Sequence, residues 1–162
     1  MATRKTKILL AVPCAGLALA AVLIATRRPT LADPAAISKL RPNDLRDSEI
    51  ECLIRAAFAK ASAVAIECER GPSITVTDPK VLNNLAEQFA VGVDPGPRTT
   101  YRHPRLEYTR LTFDGPYPLR LVFAGEERVL LMGDEPNDYR FFYVRNRFCL
   151  ALADLLGLKP VE

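Results

Sequence analysis

The sequence predicts an α+β domain: an antiparallel sheet, made of a hairpin plus a four-stranded meander, packed by two or three helices and preceded by an N-terminal transmembrane or signal helix. Three observations carry this expectation. Apolar residues recur at helical spacing in three stretches. They alternate at strand spacing in two others, and four further strand-like runs follow. The connections between the last four strand-like runs are too short for parallel crossovers. With 162 residues, 49% apolar and 25% charged, the chain can bury one core and has no room for two ordinary domains. Pro and Gly, 13 and 8, stand near average usage, which argues against a collagen-like or wholly disordered chain.

The leader comes first. Residues 8–25 are eighteen residues without a charge, bracketed by Arg4, Lys5 and Lys7 before and Arg27 and Arg28 after. As a helix this run would span roughly 27 Å, which nearly crosses a bilayer, and Lys7 and Arg27 can reach the headgroups. The basic N-terminal flank favours a cytoplasmic N-terminus with the rest outside. The expected localisation is therefore the cell membrane, single-pass, with an extracytoplasmic C-terminal domain. The alternative is cleavage near Ala32, after Thr30-Leu31, releasing a secreted or periplasmic domain. Lipidation at Cys14 is disfavoured because Pro13 stands where a lipobox has a small residue.

The sequence divides as 1–29 signal anchor or signal peptide, 30–46 tether, 47–158 globular domain and 159–162 tail. Pro34, Pro42 and mixed charge without sustained period read as tether. From Asp47 to Ser62, residues Ile50, Leu53, Ile54, Ala57, Phe58 and Ala61 share one helical face, with Asp47 or Ser48 as N-cap. Val64, Ile66 and Cys68, then Ile74 and Val76, alternate with smaller or polar residues about Glu69-Arg70-Gly71-Pro72, a hairpin signature. Thr77-Asp78-Pro79 ends that hairpin and opens a helix striped by Val81, Leu82, Leu85 and Phe89, stopping near Ala90. Residues 91–105, rich in Gly and Pro, read as a long connection. The meander follows as Leu106 to Phe113, Leu119 to Phe123, Arg128 to Met132 and Tyr139 to Val144. A closing helix from about Asn146 to Leu156 carries Phe148, Ala151, Leu152 and Leu155 on one face, with Gly157 placed to terminate it.

Charge narrows the function. The net +3 comes from the leader: five of the 22 basic residues and none of the 19 acidic ones precede Asp33, so the rest carries 17 against 19, or −2. A near-neutral domain gives no argument for nucleic-acid binding. The one histidine, His103, excludes a multi-histidine metal site within the chain. No CxxC or HxxxH pair, P-loop, GxGxxG or GxSxG is present, so no cofactor, metal or catalytic residue is expected. The acidic clusters Glu126-Glu127 and Asp134-Glu135-Asp138 fall in expected hairpin turns, where solvated turn chemistry explains them. Inert buried thiols account for Cys68 and Cys149, with a Cys68–Cys149 disulfide as the alternative in an oxidising compartment.

The densest concentration of binding chemistry lies along Arg98, Tyr101, Arg102, His103, Arg105, Tyr108 and Arg110. Arginine grips carboxylate or phosphate with two parallel bonds, and tyrosine adds contact area at small entropy cost. The expected partners are the membrane, through residues 8–25, and an envelope protein or an anionic polymer. The expected function is a non-enzymatic binding, scaffolding or accessory module on the membrane. The alternative is a small carboxylate-dependent hydrolase or transferase of the cell envelope.

Overall fold

Seven strands pair in the order β2-β1-β4-β5-β6-β7-β3, every pair antiparallel, in a computed structural model that describes residues 32–69, 71–92, 106–125 and 127–158. The strands are β1 (Ala63–Glu67), β2 (Ser73–Val76), β3 (Val91–Gly92), β4 (Arg110–Asp114), β5 (Arg120–Phe123), β6 (Arg128–Met132) and β7 (Tyr139–Val144). The helices are α1 (Pro34–Ile37), α2 (Asp47–Lys60), α3 (Pro79–Gln88) and α4 (Asn146–Leu155), with a 3-10 turn at Pro42–Asp44. The hairpin β1–β2 and the meander β4–β7 fuse into one sheet because β1 registers on β4, Val64 opposite Phe113 and Ile66 opposite Leu111.

Alternation along each strand decides which face is buried. Val64, Ile66, Leu111, Phe113, Leu121, Phe123, Val129, Leu131, Phe142 and Val144 are all buried, and their neighbours in sequence point the other way. The helices lie on that inner face. Phe148 of α4 sits among Phe58 of α2, Phe89 just after α3 and Phe123 of β5, at ring-centroid distances of 5.7, 5.1 and 6.5 Å. Phe58 also meets Phe113 edge-on at 4.6 Å, and Phe89 meets Phe142 at 6.2 Å, so one aromatic cluster ties three helices to three strands.

Local chemistry sets the helix ends. Asp78 accepts a hydrogen bond from the Lys80 N–H at 2.8 Å with Pro79 in the first turn, as the sequence predicts. The N-cap of α2 is Arg46 rather than Asp47 or Ser48. The buried Glu49 carboxylate reaches back to accept the Arg46 N–H at 3.0 Å, while Asp47 starts the helix and pairs with Arg140 at 3.3 Å. At the end of α4 the Gly157 N–H bonds Asp154 O and the Leu158 N–H bonds Ala153 O, with Gly157 at φ +64, where a glycine suits the left-handed turn. Gly115 suits its place on two counts: its φ is +150, and a Cβ there would stand a tight 3.1 Å from the Lys60 carbonyl oxygen, where the β4–β5 turn meets the end of α2.

Three expectations change. Residues 33–45, read as tether, fold onto the domain: Asp33 caps α1, and Ile37 and Leu45 enter the core, because α2 and the sheet end supply the apolar cover that their isolated positions in sequence do not reveal. The connection after α3 opens with an extra strand, β3, whose Val91 N–H bonds the Glu51 carboxylate at 3.0 Å and which pairs with Tyr143 and Val144. The run expected from Leu106 becomes regular strand only at Arg110. The apolar leader at 8–25 lies outside the described residues, and among the described residues no helix is long and apolar enough to cross a membrane.

Candidate functional site

The side of the sheet opposite the helices is the distinctive surface. Along β5, β6 and β7 the outward positions are Arg120 and Val122, then Arg128, Leu130 and Met132, then Tyr139, Phe141 and Tyr143. Register aligns them in rows: Arg110 opposite Val122, Leu130 and then Phe141, and Thr112 opposite Arg120, Met132 and then Tyr139. Arg128 and Tyr143 stand opposite each other in the next row. An outward face of a half-buried sheet is ordinarily polar. Here aliphatic and aromatic side chains run between arginines.

The aromatic rings are held. Tyr139 and Phe141 meet edge-on at 5.3 Å, and the Arg128 guanidinium lies 5.3 Å from the Phe141 ring centroid. Tyr139 is 37% exposed and Phe141 44%. Arg120 donates to the Gly133 carbonyl at 3.2 Å and stands 3.9 Å from Asp134, so it is partly engaged. Among the described residues, no carboxylate forms an ion pair with Arg110 or Arg128. Glu67 stands opposite Arg110 in register without such a pair.

Of the seven residues expected to form a binding surface, Arg98, Tyr101, Arg102, His103 and Arg105 lie outside the described residues. Tyr108 and Arg110 are placed, and both border a groove with Glu67, Cys68 and Glu69. Tyr108 is 53% exposed at φ +61. Its N–H donates to the Phe123 carbonyl at 2.8 Å, and the Phe123 N–H donates to the Thr109 carbonyl at 2.9 Å, so Tyr108 and Thr109 together oppose one residue of β5. That is a β-bulge with its first residue left-handed, a position that ordinarily takes glycine. The Thr109 N–H closes the preceding turn onto Leu106 O at 2.9 Å, and Leu106 and Thr109 are both buried.

The remaining candidates separate. Cys68 and Cys149 are both buried with no disulfide between them; Cys149 faces the core from α4, and Cys68 lies after β1 against the Gly71 turn and Leu158. Half-exposed Cys52 donates from its thiol to the Ala32 carbonyl at 3.5 Å on the helix side. Glu126 lies outside the described residues, and Glu127 is buried beside β7, its carbonyl accepting the Val144 N–H. Asp134 and Glu135 are spread over the β6–β7 turn facing Arg120 and Arg41, and Asp138 closes that turn through its backbone. Among the described residues no group of three His, Cys, Asp or Glu side chains could hold a metal ion.

Sequence reading missed Val122, Leu130, Met132, Tyr139, Phe141 and Tyr143 as surface residues. The signal was present: Val129-Leu130-Leu131-Met132 and Phe141-Phe142-Tyr143-Val144 are continuous apolar runs rather than alternating ones, the pattern of strands with something to cover on both faces. Compared with family models, with curated proteins and with solved structures, the chain matches none.

Proposed function

We propose that this chain is a membrane-tethered, non-enzymatic binding module of the bacterial cell envelope, whose outer sheet face on β4 to β7 docks a partner protein. The single observation that carries the reading is the composition of that face. Arginine, methionine and aromatic residues surround aliphatic Val122 and Leu130, and no lysine or carboxylate occurs at the outward positions of β5, β6 and β7. This is the make-up of protein interfaces, which favour Arg, Met, Tyr and Phe and deplete Lys, Asp and Glu. A phosphate-tracking surface would draw on lysine as well, and the near-neutral domain lacks the net charge for it.

Tethering rests on residues 8–25, whose length and flanking charges suit a signal anchor with the domain outside. The described chain begins on the helix side, where the Ala32 carbonyl accepts from the Cys52 thiol at 3.5 Å. The test is fractionation of a C-terminally tagged full-length chain with protease added to intact spheroplasts. The expected result is a membrane-bound product whose tagged domain is digested from outside. A soluble product, or a membrane product whose domain is protected, would contradict the reading.

A further inference from the structure

We propose that β2 is a pairing edge and that its occupant is a second copy of this chain, joined strand to strand about a two-fold axis at Thr75. Among the described residues β2 ends the strand order, with β1 on one side and no strand on the other. The ladder decides which backbone groups it leaves unused. The Phe113 N–H donates to the Leu119 carbonyl, so Phe113 bonds toward β5 and its neighbour Thr112 bonds toward β1. Thr112 stands opposite Ala65, which turns Val64 and Ile66 toward β2, where they meet Val76 and Ile74. Ile74 and Val76 therefore spend their N–H and C=O groups on β1, and those of Ser73, Thr75 and, by the same alternation, Thr77 point out of the sheet. Among the described residues, no backbone bond outside the sheet engages any of these three.

The side chains select the occupant. Sheets guard an open edge with lysine, proline, a bulge or an inward charge. Ser73-Ile74-Thr75-Val76 carries no charge and no proline, and its pairing with β1 runs without a bulge. An acidic or basic peptide gains nothing from so neutral an edge, whereas a second copy sets no like charges together. Opposed residues of an antiparallel pair share a face, so the axis falls on a residue rather than between two. With the axis on Thr75, Thr75 meets its own counterpart and exchanges both backbone bonds, Ile74 meets Val76, and Ser73 meets Thr77. Hydroxyl then faces hydroxyl on the outer side, and β-branched faces β-branched on the inner side. An axis on Ile74 would instead set Pro72 against Val76 and leave Thr77 unpaired. Ile74 packs on the core yet stays partly exposed, and Val76 of the second copy completes its cover. A four-residue strand makes a short seam, so the contact is reversible rather than obligate. β1 and β4 separate this edge from β5, β6 and β7, so the pairing stands whether or not the outer face docks a partner.

The test uses the full-length protein in non-ionic detergent, with Cys14→Ser and Cys52→Ser so that buried Cys68 and Cys149 are its remaining native thiols. Under copper phenanthroline, Thr75→Cys should form a disulfide-linked dimer, because Cα atoms of a bonded antiparallel pair stand about 5.5 Å apart, within disulfide reach. Ser73→Cys and Thr77→Cys should each stay monomeric alone and crosslink when differently tagged versions are mixed, because the register sets each opposite the other. Thr112→Cys, on the same face but two strands inward, is the control and stays monomeric. In sedimentation equilibrium in density-matched detergent, Thr75→Lys should weaken self-association at least about tenfold by setting two ammonium groups across the axis. Its melting temperature should stay within about 3 °C of the parent, since Thr75 is exposed. Crosslinking of Ser73→Cys alone as efficient as in the mixture would overturn the register and the pairing with it. Self-association indifferent to Thr75→Lys would place the contact elsewhere in the chain and overturn the edge. A wild type that stays monomeric, with no Thr75→Cys dimer, would overturn the second copy as occupant.

Discussion

Truncating Phe148 to alanine removes the ring on which the helix layer closes. Phe148 is fully buried and touches Phe58, Phe89 and Phe123, which belong to α2, the end of α3 and β5, so its loss opens a void bordered by three elements at once. Phe-to-Ala changes in cores cost about 3–5 kcal/mol, and the ring pairs place this site toward the upper end. For the compact unit Leu31–Glu162, each kcal/mol corresponds to roughly 3–5 °C, so the melting temperature should fall by about 10–20 °C. Phe148→Leu, which keeps most of the volume, should cost less than about half as much. The assay is urea and thermal unfolding followed by near-ultraviolet circular dichroism of the fixed tyrosines. In a cycle with Phe58→Leu, the two sites should couple by about 0.5–1.5 kcal/mol. A Phe148→Ala protein that melts within a few degrees of its parent would refute the placement of α4 over the sheet.

Other outcomes follow from the same packing. Leu85→Asp puts an unpaired carboxylate at a position only 2% exposed beneath α3, and should abolish cooperative unfolding in a denaturant titration. Phe141→Ser, on the outer face, should change stability by no more than about 1 kcal/mol in the same titration, because the ring is 44% exposed. In the native domain, alkylation followed by mass spectrometry should modify Cys52 first and reach Cys68 and Cys149 only on unfolding. Under denaturing, non-reducing conditions all three thiols should titrate, and the loss of two would reveal a disulfide.

Elements defined by local chemistry were legible in the sequence. Asp78-Pro79 opens α3 and Gly157 closes α4 because a side-chain oxygen, a fixed φ and a missing Cβ act within a few residues of themselves. The period of Ile50, Leu53, Ile54, Ala57 and Phe58 likewise places the buried side of α2 without reference to anything distant. What escaped was decided by contacts remote in sequence. β3 is two residues long and is a strand only because Tyr143, Val144 and the Glu51 carboxylate meet it. Ile37 and Leu45 look like stray apolar residues between prolines until α2 covers them. On α4 the buried face is centred on Phe148, Cys149, Leu152 and Ala153 rather than on Ala151 and Leu155, a rotation set by where the aromatic cluster stands.

The proposed docking face was only partly legible in the sequence. Tyr108 and Arg110 stand out by residue type, but the sequence does not show that Tyr108 is left-handed or that Arg110 shares a row with Val122, Leu130 and Phe141. Those facts depend on strand register. Periodicity could have raised the question earlier, since β6 and β7 carry apolar residues on both sides, whereas β4 alternates cleanly between Arg110, Thr112 and Asp114 outward and Leu111 and Phe113 inward.

Site-specific photocrosslinking in living host cells tests the docking face most directly. A benzophenone amino acid placed at Thr112 or Val122 should yield one discrete protein adduct, which Arg128→Glu abolishes, while the same group at Arg55 or Asn84 on the helix side yields none. Adducts confined to the helix side, or an outer face that crosslinks to nothing while the protein sits in its native membrane, would contradict it.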